Sequence, residues 1–305
     1  MKSQLALVLG AVALCASTAS AALVHRYSFD GNANDSVGSQ HGTPVGNGVS
    51  FSGGQVVISN PDPSVGSTAF NVGSPLPATA GYVDFPNFLI SQAAAAGTHG
   101  AVSVEFWVTM TSNRDWAALF SAGISSAAID GNSAGGNDHF PYVQVVPRAG
   151  AGGNDFRVIS NGVAGPEGIV DDTDAAATDL AIGVEEHIIA VFDQSGGLPG
   201  TVTAYRNGVQ YGTTGPMANN LDIAATATIF PITGLADVNV WLGRSQWPDA
   251  ILNAGVNEFR VYSHALTPDE AAASFAAGPD TLVPEPATAA LAVLGLAAAA
   301  AFRRR

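Results

Sequence analysis

The chain is nearly without lysine and cysteine. Among its 305 residues stand one lysine, Lys2, and one cysteine, Cys15, against 25 acidic residues. A lone thiol excludes a disulfide framework and a cysteine-based zinc site. The formal net charge of −14 lacks the Lys/Arg footprint that a phosphate backbone requires, so no nucleic-acid partner is expected. Charged residues make up only 12 %, but 47 % of the chain is hydrophobic, enough for a buried core and too much for wholesale disorder.

The few basic residues are unevenly placed. Lys2 opens the chain, and Arg303, Arg304 and Arg305 end it. Residues 22–281 keep seven arginines and 24 acidic residues, a net charge of −17. An acidic body thus lies between two apolar flanks that read as processing segments. In the first, Lys2 supplies the positive start, Leu5 to Leu14 the apolar run, and Ala19-Ser20-Ala21 the small residues of a cleavage site. We read residues 1–21 as a signal peptide removed by signal peptidase. The run is short of the ~20 residues of a comfortable span. Leu14 is too bulky for a lipoprotein site at Cys15. Cleavage leaves a mature chain without a thiol.

The other flank, residues 282–305, carries Pro284-Glu285-Pro286, an apolar run from Ala287 to Phe302, and the three arginines. That run can enter a bilayer as a transmembrane helix if the arginines snorkel, and the positive-inside rule keeps them cytoplasmic with the acidic body outside. Pro284, Glu285 and Pro286, the apolar run, and Arg303, Arg304 and Arg305, in this order, resemble the PEP-CTERM sorting signal of Gram-negative bacteria. The resemblance implies recognition and processing by an exosortase-type membrane enzyme. The chain would be exported, held transiently at the inner membrane, and delivered to the cell surface or an extracellular matrix.

Between the flanks, short apolar runs alternate with Gly, Ser, Thr, Asn and Pro, the rhythm of an all-β sandwich or barrel. Expected strands cover Leu23 to Phe29, Phe51, Val56 to Ile58, Gly81 to Phe85, Phe140 to Val146, Phe156 to Ser160, His187 to Phe192, Val238 to Leu242 and Val256 to Tyr262. The clearest is Val102 to Met110. Its Val102, Val104, Phe106 and Val108 face one way, and Ser103, Glu105, Trp107 and Thr109 the other. Val202 to Arg206 and Val209 to Tyr211 flank Asn207-Gly208, a strong two-residue hairpin signal. A helix follows, with Thr267 as N-cap, Pro268 at its first position, Glu270 completing a capping box and Gly278 as its stop.

Leu23 to Thr43, Val102 to Val108, Glu186 to Gln210 and Trp241 to Leu266 together resemble the laminin-G-like, concanavalin A-like jellyroll family. The resemblance implies a two-sheet sandwich over residues 22–281 with a short C-terminal helix. Asn257 stands where that family usually has Asp, and Ser121 to Asp179 has no clear counterpart.

Catalytic patterns are scarce. Glycoside hydrolases need two carboxylates across one bond, and the Glu-x-Asp-x-Glu strand pattern is absent. No nucleophile elbow, P-loop or His-Glu-x-x-His occurs, and six histidines are scattered. Calcium is a candidate structural cofactor, since similar jellyrolls hold an ion near the first and last strands. Asp35 and Glu258 would be its ligands; the alternative for Asp30, Asn32 and Asp35 is a solvated Asx-turn. Carbohydrate is the other candidate. Trp116 follows Asn113-Arg114-Asp115, and Trp247 lies in Arg244-Ser245-Gln246-Trp247-Pro248-Asp249. Arg114, Trp116, Arg244 and Trp247 therefore offer aromatic planes with polar company. The alternative is that both rings merely cover the sandwich edge, whereas Trp107 and Trp241 are expected in the core. The reading that follows is a non-enzymatic surface or matrix protein that binds polysaccharide or another surface protein. The alternatives are a glycan-active enzyme and a structural matrix component with no specific ligand.

Overall fold

The computed structural model describes residues 23–60, 80–97, 100–125, 141–150, 155–162, 168–170, 178–217 and 231–283. Two antiparallel sheets account for the described strands, numbered here in chain order. The first sheet is built on β6 (Ala101–Met110) and β15 (Ala254–Tyr262), whose β-branched and aromatic residues suit a pleated, buried surface. Beyond β6 come β11 (Glu185–Asp193), β12 (Thr201–Arg206) and β13 (Val209–Pro216). The far edge of β15 is shared. β4 (Gln55–Ile58), extended by β3 (Val49–Ser52), takes Ala254 to Val256, and β1 (Leu23–Tyr27) takes Phe259 to Tyr262. An irregularity around Asn257 separates the two pairings.

The second sheet runs β10 (Gly168–Val170), β9 (Arg157–Asn161), β8 (Tyr142–Val146), β7 (Phe120–Gly123), β14 (Asn239–Leu242), β5 (Tyr82–Phe85) and β2 (Thr43–Val45). Four of these strands, β7 to β10, lie in the stretch that had no counterpart in the sequence comparison. That stretch supplies half of the second sheet. The core between the sheets centres on Phe259. Its ring packs at 4.8 Å from Phe106, 5.3 Å from Tyr27, 5.2 Å from Phe85 and 5.3 Å from Phe120. Strands of both sheets thus meet on one side chain.

The alternation along β6 is real, but both of its faces are buried. Ser103 bonds to the backbone of His264 and Leu266 just before helix α2 (Pro268–Ala277), and Glu105 and Trp107 are covered by Arg260, which reaches Ser274 of that helix. Trp107 and Trp241 are buried as expected, but on the outer faces of the two sheets. Trp241 shares its face with Asp84 and Ser121, opposite the inward Phe85 and Phe120.

Beneath α2 runs a buried charge ladder. Arg260 Nε donates to Glu258 Oε1 at 2.6 Å, and Arg26 Nε donates to the same oxygen at 2.5 Å. Arg260 Nη1 reaches Glu105 Oε2 at 3.3 Å; His187 Nε2 lies 2.8 Å from Glu105 Oε1, and the Tyr262 hydroxyl donates to Glu105 Oε2 at 2.7 Å. Burial pushes the Glu105 carboxyl up, but the His187 bond and the Arg260 charge outweigh it and hold it below its ordinary range. Arg260 also stacks over Trp107 at 4.6 Å and donates to the backbone carbonyls of Pro279 and Thr281.

The Asn207-Gly208 turn is left-handed at both residues, φ 53° and 76°, as a two-residue hairpin of this twist requires. The capping box of α2 forms as expected: Thr267 Oγ1 accepts from the Glu270 N–H, and the Glu270 carboxylate accepts from the Thr267 N–H. A second helix, α1 (Leu89–Ala96), was not expected. Its N-cap, Phe88, makes no side-chain cap bond. Asp237 caps it instead, accepting from the N–H groups of Ile90 at 2.8 Å and Ser91 at 3.2 Å.

Two predictions follow from this packing. Arg260→Ala leaves Glu105 and Glu258 buried with part of their compensation gone. We expect about 3–5 kcal/mol lost in urea unfolding, and a loss under 1 kcal/mol would contradict the ladder's role. Burial pushes Asp237 up to about 6 against its hydrogen bonds from Ser91 and Ile90. The unfolded group titrates near 4, so stability from the extra native proton is complete below about 4 and is lost as pH rises through about 6. Glu270, held down to about 2 by its His264 and Thr267 bonds, acts in the opposite sense, but only below its ordinary range. Asp237→Asn should flatten the fall in stability between pH 4.5 and 7; an unchanged slope would exclude this assignment.

Candidate functional site

Side chains alternate along each strand, so the second sheet turns Tyr142 and Gln144 of β8 and Ile159 of β9 outward, away from Val143, Val145 and Val158 of the core. Two loops rise over this outward face. The loop after β6 brings Trp116, and the loop after β14 brings Trp247 and Asp249. These six residues line a pocket of about 270 Å³.

Each of the two tryptophans is tied to a residue outside its own loop. Trp116 adopts the left-handed region, φ 63°, where a bulky residue is strained. Its backbone N–H donates to the Arg148 carbonyl at 2.8 Å, and Arg148 Nε in turn donates to the neighbouring Asp115 at 2.8 Å. Arg157 lies over the Trp116 ring at 5.7 Å. The Trp247 indole N–H donates to the Tyr142 hydroxyl at 3.0 Å, which ties the ring to β8. Gln246 is fully buried beneath its loop. Its Nε2 donates to Ser121 Oγ at 3.1 Å and to the Asn239 carbonyl at 3.3 Å, and its Oε1 accepts from Ser125 Oγ at 2.7 Å.

Ser245 Oγ stands between two acceptors, Asp249 Oδ2 at 2.9 Å and Gln144 Oε1 at 3.3 Å. A hydroxyl has one proton, and the shorter, charge-assisted bond to Asp249 claims it. Burial pushes the Asp249 carboxyl up to about 6, partly opposed by Ser245. The pocket therefore offers two indole rings, a phenol, a carboxamide and a carboxylate that changes charge near pH 6. That combination suits a ligand with an apolar face and hydroxyl edges.

The four residues proposed from sequence divide into two pairs. Trp116 and Trp247 share the pocket. Arg114 does not reach it, because its Nη2 donates to the Asn60 carbonyl at 2.6 Å. Arg244 lies 4.2 Å over Trp241 and 4.9 Å over Tyr82, and donates to the Tyr82 hydroxyl at 3.0 Å, so it braces the adjoining aromatic wall. Tyr142, Gln144, Ile159 and Asp249 were missed. Gln144 carried one signal, as the polar residue in an otherwise apolar strand core.

The donor set at the proposed calcium ligands does not suit a cation. Asp35 accepts from the N–H groups of Arg26, Val37, Gly38 and Gln40, and lies 2.7 Å from His25 Nδ1. Although burial raises it, these bonds hold its carboxyl well below the usual range. Glu258 faces two guanidinium groups. Among the described residues no group of three or more His, Cys, Asp or Glu is arranged to hold a metal. Asp35 instead organises the Asx-turn that was the alternative reading. The sorting residues Pro284, Glu285, Pro286, Arg303, Arg304 and Arg305 lie outside the described residues. Among the described residues no helix is long and apolar enough to cross a membrane.

The chain belongs to the concanavalin A-like lectin/glucanase superfamily, with residues 77–272 matching its laminin-G-type profile. Residues 282–305 match the PEP-CTERM protein-sorting motif. Among solved structures, the chain is similar to domain 4 of AbnA, a GH43 extracellular arabinanase from Geobacillus stearothermophilus, in complex with arabinotriose. Identity is 19 %, with 83 % of this chain and 98 % of that one covered, at a TM-score of 0.54. It is also similar to botulinum neurotoxin type C, whose cell entry depends on interaction with two ganglioside molecules. There the identity is 11 %, with 84 % of this chain and 51 % of that one covered, at a TM-score of 0.51. The chain thus spans about half the neurotoxin chain. At these identities the likeness establishes the fold alone. No curated protein matches the chain.

If the Asp35 and Glu258 carboxylates are saturated by protein donors, the melting midpoint in CaCl₂ should equal that in EGTA. A midpoint raised by calcium would restore the ion.

Proposed function

We propose that the chain is an exported, non-enzymatic surface or matrix protein that binds a neutral polysaccharide in the Trp116–Trp247 pocket. The carrying observation is that two indole rings from separate loops meet in one pocket with a carboxylate and a carboxamide, over the outer face of the second sheet. Sugar rings present an apolar face to indole and hydroxyls to Asp249 and Gln144. The pocket volume of about 270 Å³ suits a single ring of a longer chain. Acidic glycans are disfavoured by the −17 body. Two carboxylates facing across a scissile bond are the requirement for hydrolysis, and Asp249 is the single carboxylate among the six lining residues. The arabinanase domain in complex with arabinotriose supports a sugar ligand for this fold. The sorting motif supports export, membrane-anchored sorting and exosortase processing before display.

The test is a pull-down of the leader-free chain with neutral polysaccharides, including the host's own matrix polymer. Trp247→Ala should weaken binding about tenfold, the order of ~1.4 kcal/mol expected for a lost aromatic contact. Binding should fall as pH drops through about 6, where Asp249 takes up a proton and loses acceptor strength, and Asp249→Asn should remove that dependence. Equal binding by parent and Trp247→Ala would refute the site. Release of new reducing ends from the polymer would assign the chain to glycan-active enzymes.

A further inference from the structure

The described surface carries nine exposed large apolar side chains, and six of them gather where the sorting tail leaves the domain. Val184 precedes β11, whose Glu185 stands opposite Thr109 near the end of β6, and Ile182 bridges to Met110 there. β12 ends toward the same end of the sheet, because Arg206 stands opposite Ile188, which faces Phe106, three residues before Thr109. The Asn207-Gly208 turn therefore places Val209, 70 % exposed, at this end of the first sheet. Phe275 of α2 stacks on His187 at 5.7 Å and adjoins the turn, since a Cβ on Gly208 would meet the Phe275 Cβ at 3.0 Å.

The tail begins beside this cluster. Arg260 Nη1 reaches Ser274 Oγ at 3.3 Å, next to Phe275, and Nη2 of the same guanidinium donates to the carbonyls of Pro279 and Thr281. Leu282 and Val283 follow, both exposed. From the clamped Thr281 to Ala287, where the apolar run begins, are six residues, a reach of about 20 Å at full extension. A domain tied so closely cannot stand clear of the bilayer that takes the run. The neighbouring exposed acids, Asp280 and Glu185, disfavour an anionic lipid surface.

We propose that this end of the first sheet is a membrane-resting surface: Ile182, Val184, Val209, Phe275, Leu282 and Val283 settle into the headgroup boundary of an uncharged bilayer while the tail is attached. Apolar side chains at a headgroup boundary bury area without crossing the membrane. The proposal rests on the reading of residues 282–305 as a membrane-inserting sorting tail.

Cys15 is the single thiol of the sequence, so its replacement allows one label per chain. The tail-bearing chain with Cys15→Ala receives a single label site at Val209→Cys, at Ile182→Cys, or at Leu198→Cys. Leu198 is exposed in the β11–β12 turn at the opposite end of the sheet. Each is labelled with an environment-sensitive fluorophore and reconstituted into phosphatidylcholine–phosphatidylethanolamine vesicles carrying a lipid-borne quencher. Expected is a blue shift and loss of emission at positions 209 and 182, with neither at 198. Flotation of the same samples reports tail insertion. Samples that float with all three labels in water overturn the surface and leave the tail reading intact; failure to float overturns both. Burial of the 209 label without vesicles would assign the patch to a second copy of the chain and overturn the proposal.

Discussion

Arg260 carries a full charge into a place that water does not reach, and both halves of the first sheet are arranged around it. Glu258 and Glu105 neutralise it, Trp107 lies beneath its plane, and two backbone carbonyls of the departing chain accept its remaining protons. Such a group is costly unless every donor is met. Meeting them requires β15 beside β6, α2 overhead and residues 279–281 folded back. Its neighbour Phe259 points to the other side of the strand and gathers the aromatic core. Two consecutive residues thus set what lies on each side of β15.

The two sheets divide the work. The outer face of the first is covered by α2 and releases the tail. The outer face of the second is covered around Tyr142 and Ile159 by loop residues including Trp116 and Trp247, and the aromatic pocket lies there. The core separates these two outer faces. Trp247 is tied to the second sheet through Tyr142 and through its neighbour, the buried Gln246, whereas Trp116 is tied by its backbone to Arg148. The strained backbone at Trp116 is held by its bond to Arg148 and by packing of the ring on the outer face of the second sheet.

Much of this was legible in the chain because its determinants are local. The β6 alternation, the Asn207-Gly208 turn and the Thr267–Glu270 capping box each lie within a few consecutive residues, and each formed. What was hidden depends on partners far away in sequence. α1 has no cap of its own and takes one from Asp237. Glu105 looked like an ordinary outward residue until α2 covered it. Asp35 and Glu258 looked like cation ligands because sequence shows carboxylates and not the donors around them. Trp116 and Trp247 stood out by their polar company, whereas Arg114 and Arg244 shared that company and turned elsewhere.

The first strand pairs with the last, Leu23 opposite Tyr262 and Tyr27 opposite Phe259. A sandwich closed in this way cannot be completed from its N-terminus forward as the chain is delivered. Until residue 262 arrives, β1 and β4 lack the strand they share, and the aromatic core lacks its central ring. Pairings of such long sequence separation are slow to form. The interval between the arrival of β15 and that of the apolar tail is about two dozen residues. The domain therefore completes its core, and Arg260 gains its bonds to Pro279 and Thr281, only when nearly the whole chain is present.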